Sequence, residues 1–210
     1  VDGLLPALAE QRLKADPGAY SVYCNDGFTL AQILVEQISG QDFGAYIHEH
    51  LLTPAALEDT YVPGDEFDQS RLAKTYLGDS TEALPAETVT AVGTGGIYAT
   101  ASDLASFGGA LTGGVLLKED SRAAMTAPEY KNGLWPAEGA DSLSYGLGWD
   151  AVEVPALMTY EGVTMALAKG GDTQLYHASL VVLPEQKLSC AVVSSGGSSI
   201  YNQSAAETIL

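Results

Sequence analysis

Residues 174–194 read QLYHASLVVLPEQKLSCAVVS. Two runs, 174–183 and 187–194, are rich in apolar and β-branched residues, and the turn formers Pro184-Glu185-Gln186 stand between them. Runs of this kind bounded by turn residues predict strands, and two strands on so short a link pair antiparallel. Upstream, residues 164–169 and 144–154 lean toward the same period of two and predict two further strands. Downstream, residues 199–210 predict a closing helix that packs on the sheet.

The period changes to helical before residue 130. Residues 28–39 place Leu30, Ile33, Leu34 and Ile38 on one face, with Asn25 or Asp26 as N-cap candidates and Gly40 as the stop. Asp42 predicts the cap of a second helix with the stripe Phe43, Tyr46, Ile47 and Leu51, ended by Thr53-Pro54. Residues 58–87 are acidic and turn-rich and predict a surface excursion. Thr100-Ala101-Ser102-Asp103 is a capping-box variant opening a helix with Leu104, Phe107 and Leu111 on one face, closed by Gly113-Gly114. A short helix over 119–126 stops before Pro128, and a loop runs to about Ser142. The fold class is α+β: a mostly helical lobe over about 20–142 and an antiparallel sheet with its closing helix over about 143–210.

The charge narrows the function. In 210 residues, 27 Asp and Glu against 9 Lys and Arg leave a formal charge of −18, which excludes nucleic acid and disfavours an anionic membrane surface. A chain that is 46% hydrophobic and only 17% charged has a core to bury and is no acidic tail. No apolar run reaches the roughly 18–20 residues of a membrane span. Cys24 and Cys190 could form one disulfide or stay free thiols, and neither has metal-site spacing.

Few residues suggest chemistry alone. The sequence contains no Gly-x-Ser-x-Gly elbow, phosphate-binding loop or zinc-protease helix. His48 and His50 are two apart on a predicted helix and point to different sides, so they do not share a metal. His177 reads as a lone structural histidine in a strand. Glu58, Asp59, Asp65, Glu66 and Asp68 lack the spacing of a calcium loop and read as a solvated face. Gly93-Thr94-Gly95-Gly96 reads as a tight backbone crossing, since no Lys-Ser/Thr helix opens from it. Neither a metal nor an organic cofactor is expected.

Five segments in order carry a resemblance. Residues 17–30, with Tyr23-Cys24-Asn25, resemble the Tyr-x-Asn segment of penicillin-recognising serine hydrolases of the class C β-lactamase and penicillin-binding-protein type. Residues 36–57 follow the order of that family's next helices. Gly95-Gly96-Ile97-Tyr98-Ala99-Thr100 with Asp103-Leu104 resembles its Gly-Gly-Leu-x-Ser-Thr-x-x-Asp-Leu segment. Tyr145-Gly146-Leu147-Gly148-Trp149 resembles its Tyr-Gly-Leu-Gly-Trp strand, and Lys169-Gly170-Gly171 its third motif, Lys-Thr-Gly or His-x-Gly. The similarity runs from about Asp16 to the end.

The resemblance implies a serine acyl hydrolase working through an acyl-enzyme on a small-molecule or peptide-like acyl substrate, exported to the cell envelope or beyond. Tyr23 and Lys169 would be catalytic. Asn25, Gly170, Gly171 and Asp172 would bind substrate, the backbone N–H of Asp172 supplying half an oxyanion hole. The family nucleophile is the Ser of Ser-x-x-Lys, upstream of Tyr-x-Asn, and these 210 residues contain no Ser-x-x-Lys. The chain is therefore expected to be the C-terminal part of an incomplete domain, inactive alone, with the missing segment even a candidate separate partner chain. The alternative is a non-catalytic binding module that keeps the fold. Gly170 in place of Thr, and a negative Asp172 where an anionic substrate would sit, are expected to favour neutral ester or amide substrates.

Overall fold

The computed structural model describes residues 3–129, 144–196 and 202–210. Its centre is an antiparallel sheet of three strands in the order β3-β4-β5, namely β3 (Leu167–Asp172), β4 (Tyr176–Leu183) and β5 (Leu188–Ser195). The hairpin read from residues 174–194 is present, with Tyr176 opposite Ser195 and Leu183 opposite Leu188. Its turn closes through the Lys187 N–H on the Pro184 carbonyl at 3.2 Å.

The uninterrupted Leu180-Val181-Val182-Leu183 run is explained by helices on both faces. Helix α4 (Ala101–Thr112) packs on one face, where Leu111, Trp149, Val152, Leu167, Leu180 and Val182 form a buried cluster. Helix α6 (Asn202–Ile209) packs on the other, over Ala166, Ala168, Val181, Leu183 and Cys190. The side chains alternate because successive strand residues point to opposite faces.

Helix α1 (Leu4–Ala9) precedes the helices read from sequence. Helix α2 (Asn25–Ser39) begins earlier than expected: Cys24 is its N-cap, with no side-chain cap bond, so Asn25 and Asp26 are helical residues instead of caps. Helix α3 (Phe43–Ile47) is capped by Asp42, whose side chain accepts from the Ala45 N–H at 3.2 Å, and it continues as a π-helical turn, His48–Leu52. Ile47, Leu52, Leu57 and Val62 form a third cluster, joined to the α4 side of the sheet through Phe107. Thr100 caps α4 by accepting from the Asp103 N–H, and α5 (Glu119–Thr126) follows. The excursion over 58–87 contributes β1 (Thr60–Tyr61), paired antiparallel with β2 (Tyr98–Ala99). The Asp103 carboxylate fixes this small sheet by accepting from the Asp59 N–H at 2.8 Å and the Thr60 hydroxyl at 2.9 Å.

Two strand expectations need correction. Residues 144–154 form no strand, only an isolated bridge between Ala151 and Ala168. Gly148 lies at φ +83°, a left-handed position that interrupts extended backbone and drops Trp149 into the core. The third strand starts later than 164 and ends later than 169 because pairing with Ser179, Ala178 and His177 extends it through Gly170, Gly171 and Asp172. Ladder bonds there outweigh the weak strand preference of glycine. The loop expected up to Ser142 falls largely outside the described residues, and so does the start of the helix expected from Ser199.

Candidate active site

Tyr23 lies in the loop feeding α2, and Lys169 lies within β3. The Lys169 ammonium sits 5.9 Å from the centre of the Tyr23 ring, inside the range in which a cation is drawn to an aromatic face. Asn25, the first residue of α2, is exposed, and its carboxamide has no partner among the described residues. Its backbone carbonyl accepts from the Thr94 hydroxyl at 2.8 Å and the Thr29 hydroxyl at 3.4 Å.

Thr94 belongs to the glycine run, which is a close backbone crossing. The Gly93 N–H donates to Gln32 Oε1 at 2.9 Å, and a Cβ there would come within 2.6 Å of the Phe28 carbonyl oxygen. At Gly96 a Cβ would come within 2.2 Å of the Val89 oxygen. The crossing thereby holds the start of α2, and with it the Tyr23 loop.

The phase of the β3–β4 ladder decides what the edge of β3 presents. The Thr173 N–H donates to the Tyr176 carbonyl at 2.9 Å, and Asp172 faces His177 in the next register position. Hydrogen-bonded and non-bonded pairs alternate in an antiparallel ladder, so the N–H groups of Ala168, Gly170 and Asp172 point away from β4. Ala168 donates to the Ala151 carbonyl at 2.8 Å, and Gly170 donates to Asp150 Oδ2 at 2.8 Å. The Asp172 N–H, next along that edge, has no partner among the described residues. A Cβ on Gly170 would sit 3.5 Å from Asp150 Oδ2, and one on Gly171 would meet nothing within 4 Å, so no close packing fills the space beside these two residues.

Asp150 is the residue that sequence reading missed. Its Oδ2 accepts from Lys169 Nζ at 3.1 Å as well as from Gly170, and the Lys169 ammonium also donates to the Gly170 carbonyl. One carboxylate thus fixes both the cation and the strand that carries it. The available signal was a lone acid directly after the Gly-Leu-Gly-Trp run.

Asp172 departs from expectation. It lies three positions after Lys169, so the two side chains leave opposite faces of β3. Its Oδ1 lies 2.6 Å from His177 Nδ1, and His177 Nε2 lies 2.9 Å from the Gly196 carbonyl oxygen. The carboxylate is therefore engaged across the hairpin and does not confront a substrate beside Lys169. Burial pulls the His177 pKa down, but the Asp172 carboxylate and the Gly196 carbonyl outweigh it, and the net direction is up.

The remaining candidates are not drawn into this site. His48 Nε2 lies 2.8 Å from Asp65 Oδ2, His50 packs on Tyr46 with ring centres 4.2 Å apart, and Asp59 pairs with Arg71 at 2.5 Å. No group of metal-ligating side chains forms among the described residues. Both cysteines are free, Cys24 exposed and Cys190 buried. No helix among the described residues is long and apolar enough to cross a membrane.

A β-lactamase family model matches residues 2–209. The chain belongs to the β-lactamase family. Within it, the D-alanyl-D-alanine-carboxypeptidase/endopeptidase AmpH of Escherichia coli K12 is 30% identical over 98 residues, 46% of this chain and 24% of that protein. A class C β-lactamase superposes with a TM-score of 0.74 at 20% identity, over 100% of this chain and 62% of its own. A D-stereospecific amidohydrolase from Streptomyces superposes with a TM-score of 0.70 at 23% identity, over 93% and 57%. This β-lactamase-family chain thus has the serine-hydrolase-like fold, and the stretch it shares with the curated relative covers about a quarter of that protein's length.

Proposed function

We propose that this chain is the C-terminal part of a serine acyl hydrolase whose nucleophile lies in a segment preceding these 210 residues. The observation that carries the reading is the approach of Lys169 to Tyr23, 5.9 Å from ammonium to ring centre, between an α2-loop residue and a β3 residue.

The chemistry follows from the placement. The serine needs a proton acceptor beside it, and we assign that role to the Tyr23 oxygen, whose ring lies beside the Lys169 ammonium. The serine Oγ–H proton passes to the Tyr23 oxygen as Oγ bonds to the acyl carbon, and the carbonyl electron pair moves onto oxygen. The Asp172 N–H, pointing out from the β3 edge, is one of two donors to that oxyanion, the nucleophile's own N–H being the other. Collapse returns the electron pair and expels the leaving group, which takes the proton from Tyr23. Water, deprotonated in the same way, then releases the acid and regenerates the serine. The absence of side chains at Gly170 and Gly171 leaves room for an acyl substrate beside β3, and the exposed Asn25 carboxamide supplies a donor and an acceptor for it. With the Asp172 charge taken by His177, a neutral substrate is no longer favoured on that ground.

Turnover of nitrocefin and p-nitrophenyl esters tests the proposal. The polypeptide of 210 residues should show none, and the same chain joined to the segment encoded upstream should show an acylation burst. A burst from the 210 residues alone would refute the assignment of the nucleophile. An upstream segment without Ser-x-x-Lys would support the binding-module alternative.

A further inference from the structure

His177 faces an acceptor at each ring nitrogen: the Asp172 carboxylate at 2.6 Å on Nδ1 and the Gly196 carbonyl at 2.9 Å on Nε2. A neutral imidazole carries one N–H and can satisfy only one of them, whereas the imidazolium satisfies both. The ring is buried, so the neutral form would set one ring lone pair against an acceptor oxygen within hydrogen-bond distance. The two acceptors belong to different parts of the sheet. Asp172 ends β3, His177 lies near the start of β4, and Gly196 follows the end of β5. The ring therefore ties three strands together at the end where β3 presents its outward N–H.

We propose that His177, held as an imidazolium between Asp172 and Gly196, is a positioning residue for the hydrolase: it fixes the backbone of Asp172, and with it the outward N–H that meets the oxyanion. This rests on the acyl-hydrolase reading above. The carboxylate and the N–H belong to one residue, so holding the side chain across β4 limits rotation of the peptide that carries the donor. A donor to an oxyanion acts only if it is already aimed. Losing one ring proton breaks the bond to the Gly196 carbonyl, since the remaining proton stays on Nδ1 beside the carboxylate, and the ring that holds Asp172 is then no longer anchored to the end of β5.

The charged groups around His177 are few. On β3 they are Asp172 itself and Lys169, which leaves the opposite face and is engaged by Asp150. Beside the hairpin turn, Glu87 accepts from the Thr173 hydroxyl at 2.7 Å. The opposite strand partner is Ser194, whose hydroxyl bonds the neutral Asn202 of α6, and the α6 carboxylate, Glu207, accepts from Gln203. β5 carries no charged residue. On α4 the acid is Asp103, occupied by Asp59 and Thr60. Asp172 is thus the charge that holds the imidazolium.

The test is the pH profile of kcat/KM for a p-nitrophenyl ester in the full-length protein, with the Asp172 amide resonance followed by NMR across the same pH range. In the unsubstituted protein the alkaline fall should track the His177 titration, and the amide shift should move with it. Asp172→Asn keeps the shape and the hydrogen-bond acceptor but removes the charge, so both curves should move together to lower pH. His177→Gln, which keeps a donor but does not titrate in this range, should lose that limb of the profile and lower kcat more than it raises KM. An alkaline limb unmoved by Asp172→Asn, or an Asp172 amide indifferent to the His177 titration, overturns the proposal while leaving the hydrolase reading intact. No ester or β-lactam turnover by the full-length protein overturns the hydrolase reading, and the positioning role falls with it even if the NMR curves coincide.

Discussion

The two halves of the candidate site are held very differently. On the sheet side, Asp150 fixes Lys169 and Gly170, His177 fixes Asp172, and the strand beneath is packed between helices on both faces. On the loop side, Tyr23 is 60% exposed, and its neighbours Tyr20, Val22 and Phe28 are nearly half exposed. The contacts that hold that loop include the Asn25 carbonyl on two threonine hydroxyls, the Ser21 hydroxyl on the Glu129 carbonyl at 3.3 Å and the ammonium over the Tyr23 ring. The difference teaches that the sheet half is organised by bonds within this chain, while the apolar side chains of the loop half receive little cover from the described residues.

The two free cysteines report on the two halves, and they should give the largest contrast. Cys24 lies inside the Tyr23–Asn25 segment and is exposed, whereas Cys190 is buried in β5, where burial pushes its thiol pKa up. A thiol reagent reacts with the thiolate, so one thiol per native chain should react promptly and the second only on unfolding, with rates differing by orders of magnitude. Equal reactivity in the native protein, followed by the absorbance of Ellman's reagent, would dissolve the contrast.

Core truncation should come next. Leu167 in β3 is fully buried, and Leu167→Ala should cost about 2–5 kcal/mol in urea denaturation. Phe28→Ala at the loop end of α2, where the ring is 46% exposed, should cost under about 1 kcal/mol, since a half-exposed ring loses less contact. A Phe28→Ala cost matching that of Leu167→Ala would show that the loop half is as firmly packed as the sheet. Smaller still are the single polar ties. Asp150→Ala leaves the Gly170 N–H without its acceptor and should cost about 1–2 kcal/mol, and Thr94→Ala, which removes one of two bonds to the Asn25 carbonyl, about 0.5–1 kcal/mol. The reverse order in midpoint shifts would break the comparison.

The same asymmetry governs what could be read from the sequence. The hairpin over 174–194 was legible because two apolar runs around Pro184 permit little else, and α4 because Thr100 and Gly113 mark its ends. The Tyr23–Lys169 approach followed from motif order, since neither residue is distinctive alone. Asp150 was not legible, because its role depends on where the chain bends at Gly148, and that bend turned an expected strand into an irregular crossing beside β3. The side chain of Asp172 was misplaced for a related reason. Its face is set by strand parity and by a partner on β4, and both emerge only once β3 is seen to run through the two glycines. Local periodicity gives elements, whereas the partners of polar side chains depend on register.

The smallest expected effect is the pH dependence of stability carried by His177, and its sign distinguishes the sheet end of the site from the surface excursion. The folded-state pKa of His177 is raised above its unfolded value of about 6.5. The folded protein therefore holds the proton more tightly than the unfolded chain does. The resulting stabilisation is fully present below the unfolded pKa and is lost as pH rises through the folded one. Asp172→Asn removes the charge that favours the imidazolium, so the loss should begin at lower pH. Outside the site, the Asp59–Arg71 pair of the excursion acts in the opposite direction. The bond to Arg71 holds the exposed Asp59 carboxyl below its ordinary range, and any stabilisation from it is lost as pH falls. The alkaline slope of the urea midpoint against pH should therefore change in Asp172→Asn, whereas Asp59→Asn, which removes a contribution that is constant in this range, should leave that slope as it is. A changed alkaline slope in Asp59→Asn would show that the alkaline loss belongs to the whole molecule and not to the tie at the end of the sheet.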